Sequence, residues 1–215
     1  MELSGGPAMS SRAGQSALIR HAETEWSRDG RHTGRSDIPL TERGREAARQ
    51  LPARLAGWRF ALVLTSPLAR ARETCELAGL GGSARVCEDL LEWDYGEYEG
   101  LTSAQIQRLR PGWSLWRDGC PGGEQVSDVA ARADRVVEAL AGIEGAAAVF
   151  SHGHLLRVLG ARWVALEGRQ GQRLGLFTAA ICVLAREHGV PVILRWNDTC
   201  PSPSGAPAAA EPGAA

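Results

Sequence analysis

The chain has 215 residues, 44% hydrophobic and 23% charged, enough to bury a core as one domain or at most two small ones. Its net charge of -1 offers no general basic field for a nucleic-acid backbone. All 24 basic residues are arginine, so no Schiff-base or pyridoxal-phosphate lysine exists, nor the lysine of a P-loop or a kinase. A coding bias toward arginine is the competing explanation of that composition. Five widely spaced cysteines, Cys75, Cys87, Cys120, Cys182 and Cys200, include no CxxC pair, which reads as reduced, cytoplasmic usage without a zinc site.

Residues 1–13 lack the apolar core of a secretory signal, although their serines and Arg12 leave a transit peptide as an alternative. The longest apolar stretch, residues 174–185, is too short to span a bilayer, so a soluble protein without a membrane partner is expected. Residues 1–14 are expected to be a flexible N-terminus and residues 15–200 a single domain. Residues 201–215, rich in Pro, Ala, Gly and Ser, are expected to be a disordered tail.

From Ala17 onward, short apolar runs alternate with helical patterns, which predicts a three-layer α/β/α sandwich around a mostly parallel sheet. The run Ala17-Leu18-Ile19 ends at Arg20 and His21, at the strand edge where such sheets bind ligands. The spacing of Ala47, Ala48, Leu51 and Leu55 predicts one helix after Thr41, closed by Gly57. A second strand over residues 60–64 leads into Ser66-Pro67, read as N-cap and first-turn proline of a helix over residues 68–78 that Gly79 stops. That helix brings Arg70 to the same edge.

A weak strand around Arg85-Val86-Cys87 precedes a loop of acids and aromatics, residues 91–100, which contains Glu92. Val129, Val136, Val137 and Leu140 mark another helix. Residues 146–150 mark a buried strand running into Ser151-His152-Gly153-His154. Residues 180–185 and 190–196 read as two last strands joined by a hairpin at Glu187-His188-Gly189.

Two histidines and two arginines at one sheet edge make an anion site. The planar forks of Arg20 and Arg70 suit phosphoryl oxygens, and a neutral imidazole can attack phosphorus in line. An alkoxide leaving group needs a proton, which Glu92 in its acid form can supply before it takes one from the attacking water; such help is worth about 10²–10⁴-fold.

These residues resemble the histidine phosphatases, the phosphoglycerate mutase-like superfamily. Leu18-Ile19-Arg20-His21-Ala22-Glu23-Thr24 is similar to its Arg-His-Gly-Glu signature, and Thr65-Ser66-Pro67-Leu68-Ala69-Arg70-Ala71 to its phosphate-arginine segment. Ser151-His152-Gly153-His154 is similar to its second-histidine segment, and Glu92 falls at the acid position. The resemblance covers residues 17–163. It implies His21 as nucleophile, Arg20, Arg70 and His152 as phosphate pocket, Glu92 as proton donor, and no metal or other cofactor. Ala22 stands where the family usually has glycine, and strain is expected there if the backbone needs a positive φ.

Only 60 residues separate Glu92 from His152 (152 − 92), whereas mutases of the family carry a longer lid-forming insertion. Residues 113–124 and 152–157 resemble sedoheptulose-1,7-bisphosphatase-type and small acid-phosphatase members. A phosphatase acting on a small, sugar-derived phosphate is therefore expected, with a cofactor-dependent phosphoglycerate mutase and a non-catalytic phosphate-binding protein as alternatives. Arg157 and Arg31 or Arg35 are candidates for a second phosphate or carboxylate of the substrate, and Ser27, Thr33, Gly34 and Gly153 complete the expected contacts. His32 and His188 are read as structural, a His152–His154 metal pair is disfavoured, and Trp93, Trp113 and Trp116 as core or cover before cleft lining. The expected partner is a small phosphorylated metabolite; a homo-oligomer is left open.

Overall fold

The computed structural model describes residues 12–199. The expected tail, residues 201–215, and residues 1–11 of the expected N-terminal segment lie outside them. Within residues 12–14, Gly14 N donates to the Gly145 carbonyl at 2.7 Å.

Six strands form one sheet: β1 (Ser16–Arg20), β2 (Phe60–Thr65), β3 (Ala84–Val86), β4 (Ala146–Ser151), β5 (Ile181–Glu187) and β6 (Val190–Asp198), in the order β3-β2-β4-β1-β5-β6. The first four pair in parallel, and β5 runs antiparallel to both β1 and β6. The helices are α1 (Glu25–Arg28), α2 (Glu42–Ala48), α3 (Leu51–Arg54), α4 (Ala69–Leu77), α5 (Ser103–Leu109), α6 (Leu115–Asp118), α7 (Val126–Ala141) and α8 (Gly153–Trp163). None is long and apolar enough to cross a membrane.

Strand periodicity divides the core into two layers. Ala17 and Ile19 of β1, with Ala148 and Phe150 of β4, pack with Leu51 and Cys75 on the side of α2, α3 and α4. Leu18, Ala147 and Val149 point the other way, toward Val129, Val136, Leu155 and Leu159 of α7 and α8. A central sheet whose strands are buried on both faces is what the unbroken apolar run of residues 146–150 demands.

Two local expectations are corrected. The single helix after Thr41 is two helices, α2 and α3, because Pro52 has no N–H to give and its ring crowds the carbonyl four residues back, at Ala48. Ser66 is not an N-cap: the cap falls two residues further on, at Leu68, with no side-chain cap bond, α4 begins at Ala69 instead of Leu68, and the Ala69 N–H is taken by Asp37 Oδ1 at 2.8 Å. Gly79, at φ 77°, follows the helix as expected. The β5–β6 hairpin turns on His188 and Gly189, both left-handed at φ 51° and 81°, as a two-residue primed turn requires.

Candidate active site

Three strand exits are tied together at one edge. His21 follows β1 and donates its N–H to the Ser151 carbonyl at the end of β4 (2.8 Å), while Ser66, which follows β2, donates to the Phe150 carbonyl (2.9 Å). The parallel register thereby sets the His21 ring beside that of His152, with centroids 5.2 Å apart. Both side chains are buried.

Hydrogen bonds fix the tautomers. His21 Nδ1 lies 2.7 Å from the Ala22 carbonyl, which can only accept, so the proton sits on Nδ1 and the Nε2 lone pair remains. His152 has the opposite arrangement: Arg70 Nε donates to Nδ1 (3.1 Å), so Nε2 carries the proton and donates to Ser66 Oγ (2.7 Å). Burial, then the charges of Arg70 and Arg20, hold the His21 imidazole well below its ordinary 6.5, against a smaller opposite pull from the Ala22 carbonyl. Burial and Arg70 likewise hold His152 well below that value.

Ala22 does not carry the strain a positive φ would bring. Among described non-glycine residues positive φ occurs at Ala165, Ala179, His188 and Asn197, not at Ala22. Its methyl is fully buried with the core behind β1. Its N–H donates to Thr74 Oγ1 (3.0 Å), and that hydroxyl donates to the Arg70 carbonyl (2.7 Å), which links the signature segment to α4.

Arg70 is fully buried. Besides His152 it donates to the carbonyls of Ser36 (2.8 Å), Thr33 and Gly34 (both 3.0 Å). The loop carrying those carbonyls is held from outside by Glu99 Oε1, which accepts from Gly34 N (2.8 Å) and Ser36 N (3.0 Å). Arg20 Nη1 donates to the Leu176 carbonyl at 2.6 Å.

Glu92 reaches the same region from the opposite loop. Its carboxylate accepts from Trp93 N (2.9 Å), and at the start of α8 from His154 N (3.0 Å) and Leu155 N (2.9 Å). The helix terminus beside His152 therefore also orients Glu92.

The other expected contacts fall into two groups. Thr33, Gly34 and Gly153 lie against the site, the first two through the Arg70 bonds and Gly153 at the head of α8, where a Cβ would come within 3.3 Å of Arg20 Nε. Ser27, Arg31 and Arg157 are engaged elsewhere. The Ser27 hydroxyl closes the capping box of α1 with Thr24. Exposed Arg31 lies 4.0 Å from Asp29. Arg157 donates to the carbonyls of Gly171 (3.1 Å) and Gln172 (2.9 Å) and stacks 4.8 Å from the Trp116 ring. Arg35 lies 3.4 Å from Asp94.

Trp93, Trp113 and Trp116 are core residues. His154 turns away from His152, with Nδ1 2.7 Å from the Tyr95 hydroxyl. Among the described residues no group of three or more His, Cys, Asp or Glu side chains could hold a metal ion. Sequence reasoning did not find Thr74, Glu99, Glu124 or Arg132. Glu99 and Glu124 stand in segments the sequence singles out, residues 91–100 and 113–124, without a role there, and Arg132 is a charge placed beside Val129, Ala133 and Val136 on its helix.

A family model described as the histidine phosphatase superfamily (branch 1) matches residues 17–199. The chain belongs to this superfamily. This histidine phosphatase is 44% identical over 178 residues to an acid phosphatase of Mycobacterium tuberculosis, covering 80% of this chain and 87% of that one. It is 34% identical over 181 residues to the sedoheptulose 1,7-bisphosphatase of Saccharomyces cerevisiae, covering 69% and 67%. It is also 34% identical over 204 residues to a 2,3-bisphosphoglycerate-dependent phosphoglycerate mutase of Mesorhizobium japonicum, covering 84% and 91%. The solved structure of an open reading frame from Mycobacterium tuberculosis superposes with a TM-score of 0.82 at 40% identity, covering 86% of this chain and 97% of that one. With an acid phosphatase and a bisphosphatase among its relatives, this histidine phosphatase is a phosphoric monoester hydrolase.

Proposed function

We propose that the enzyme hydrolyses a small sugar-derived phosphate monoester through a phosphohistidine on His21. The observation that carries this reading is the His21 tautomer: with Nδ1–H given to the Ala22 carbonyl and the ring kept neutral by burial and by two arginines, Nε2 presents a lone pair at neutral pH. His21 Nε2 forms the bond to phosphorus as the bond from phosphorus to the sugar oxygen breaks. The Glu92 proton passes to that oxygen. Water then attacks the phosphohistidine, Glu92 recovers a proton from it, and the electron pair of the nitrogen–phosphorus bond returns to His21.

Arg20 and Arg70 are the donors for the equatorial phosphoryl oxygens, with Gly153 beside them, and His152 joins them when its Nε2–H passes from Ser66 Oγ to a phosphoryl oxygen. Preorganised donors of this kind are the larger part of such catalysis, each worth about 10²–10³-fold. The substrate class is supported by the similarity to the acid phosphatase and to the sedoheptulose 1,7-bisphosphatase. Cytoplasmic residence belongs to the same reading and is supported by four free cysteines among the described residues.

The similarity to a phosphoglycerate mutase favours a second reading, transfer of the phosphoryl group back to a substrate hydroxyl instead of to water. Release of inorganic phosphate from a panel of sugar phosphates, sugar bisphosphates and phosphoglycerates separates the two. Sugar phosphates are expected to give the highest kcat/KM. Interconversion of 3- and 2-phosphoglycerate outpacing phosphate release would establish the mutase, and binding without turnover would leave only a phosphate-binding protein.

A further inference from the structure

The acid side of the site holds a polar assembly that the reaction above does not use. Arg132 lies in α7 one turn from exposed Arg135, yet only 12% of its side chain is exposed. Its Nε and Nη2 fork onto Glu124 Oε1 and Oε2, both at 2.9 Å. Nη1 donates to the carbonyls of Asp89 and Leu91, both at 2.9 Å, and Nη2 reaches the Glu92 carbonyl at 3.4 Å.

Glu124 continues the grip on the far side of Glu92. Its Oε2 also accepts from Asp94 N (2.8 Å), and its carbonyl accepts from Trp93 Nε1 (2.9 Å). The two loops are clasped directly as well, Glu124 N donating to the Asp94 carbonyl and Glu97 N to the Pro121 carbonyl, both at 2.9 Å. The approach is close enough to need glycine: a Cβ on Gly123 would lie 2.3 Å from the Asp94 carbonyl oxygen. One largely covered ion pair thus fixes the backbone from Asp89 to Asp94, with Glu92 within the segment.

For stability alone, apolar side chains of similar volume would often serve as well as a buried ion pair. What the forked pair supplies is direction, since a guanidinium can meet a carboxylate and three carbonyls in one plane and an ammonium cannot. We propose that Arg132 and Glu124 are positioning residues for Glu92, setting where the proton donor stands relative to the leaving-group oxygen. The inference rests on the reading of Glu92 as proton donor.

A misplaced donor has a signature that general loosening lacks. An alkyl phosphate needs the proton as its alkoxide departs, whereas p-nitrophenolate leaves with little help. The test measures kcat/KM on glycerol 2-phosphate and on p-nitrophenyl phosphate for the parent, Glu92→Gln, Arg132→Lys, Glu124→Gln and Arg135→Ala, with a melting curve for each. Glu92→Gln should lose about 10²-fold or more on the alkyl ester and far less on the aryl ester. Arg132→Lys and Glu124→Gln should repeat that selectivity at about tenfold, the scale of a small displacement of a reacting group. Arg135→Ala should match the parent on both. If folded Arg132→Lys and Glu124→Gln lose equal factors on the two esters, or lose nothing, the positioning role is overturned. Equal losses in Glu92→Gln would overturn the proton-donor reading beneath it. Should Arg132→Lys fail to fold, Glu124→Gln decides alone; should both fail, Glu124→Asp, which keeps the charge and draws the fork back, must show the same selectivity or overturn the role.

Discussion

His21 and His152 leave the ends of parallel strands and Arg70 stands in the first turn of α4, so their spacing follows from sheet register. Glu92 stands in a stretch with no strand and only single helical turns, and its place is set by the Arg132 side chain of α7, by the Glu124 side chain and by the backbone N–H groups of His154 and Leu155 at the head of α8. On the phosphate side, regular structure therefore sets the backbone that carries His21, His152 and Arg70, with loop carbonyls turning the Arg70 fork, whereas on the acid side Glu92 has no regular element of its own and depends on a polar network throughout. A change in one should be felt as lost phosphoryl binding, and a change in the other as lost help to the leaving group.

The largest expected effect on the phosphate side is that of Arg70→Lys. A single ammonium cannot keep the bonds to His152, Thr33, Gly34 and Ser36 while meeting a phosphoryl oxygen, so kcat/KM should fall about 10²–10³-fold on alkyl and aryl esters alike. A larger loss on alkyl esters would erase the distinction between the two sides.

Protonation of the buried histidines gives a second, graded test. His21, His32, His152 and His154 are all held below 6.5, burial being the leading cause in each. In the unfolded chain they take protons near 6.5 while the folded protein resists, so the unfolded state binds more protons below that pH. Stability from this source is complete above about pH 7 and declines as pH falls through 6.5 toward the folded values, by at most about 1.4 kcal/mol per pH unit for each group. Tm should drop between pH 7.5 and 5.5, and a rise would contradict the assignment of neutral rings. The acid limb of kcat/KM should likewise lie below pH 6.5.

Smaller still is the effect of Thr74→Val, which leaves the Ala22 N–H without its hydroxyl acceptor between the segment after β1 and α4. A loss of about 1–3 kcal/mol in chemical denaturation is expected. The smallest is Arg135→Ala: its pair with Asp89 is exposed and screened by solvent, so the denaturation midpoint should match that of the parent, although the residue lies one turn from Arg132.

The same division explains what could be read before the structure. The strands that carry His21 and His152 announce themselves by apolar runs, and β4 is buried throughout. Ser66-Pro67 has the chemistry of a helix start, but the Ser66 hydroxyl is paired with His152 across 86 residues, a partner no local pattern reveals. Arg157 followed the second histidine at helical spacing and so suggested a substrate contact, while its partners, the Gly171 and Gln172 carbonyls, are set by how a later turn folds back. Long-range polar bonds are invisible to periodicity, and the acid side is made of them.

The most direct test of the account is rapid acid and alkaline quenching of the enzyme during turnover of a radiolabelled sugar phosphate. Label should appear on the parent protein as an acid-labile, alkali-stable adduct mapped to His21, and should be absent from His21→Ala together with turnover. No adduct on the parent under conditions of rapid turnover, or an alanine variant that hydrolyses substrate at the parental rate, would contradict it.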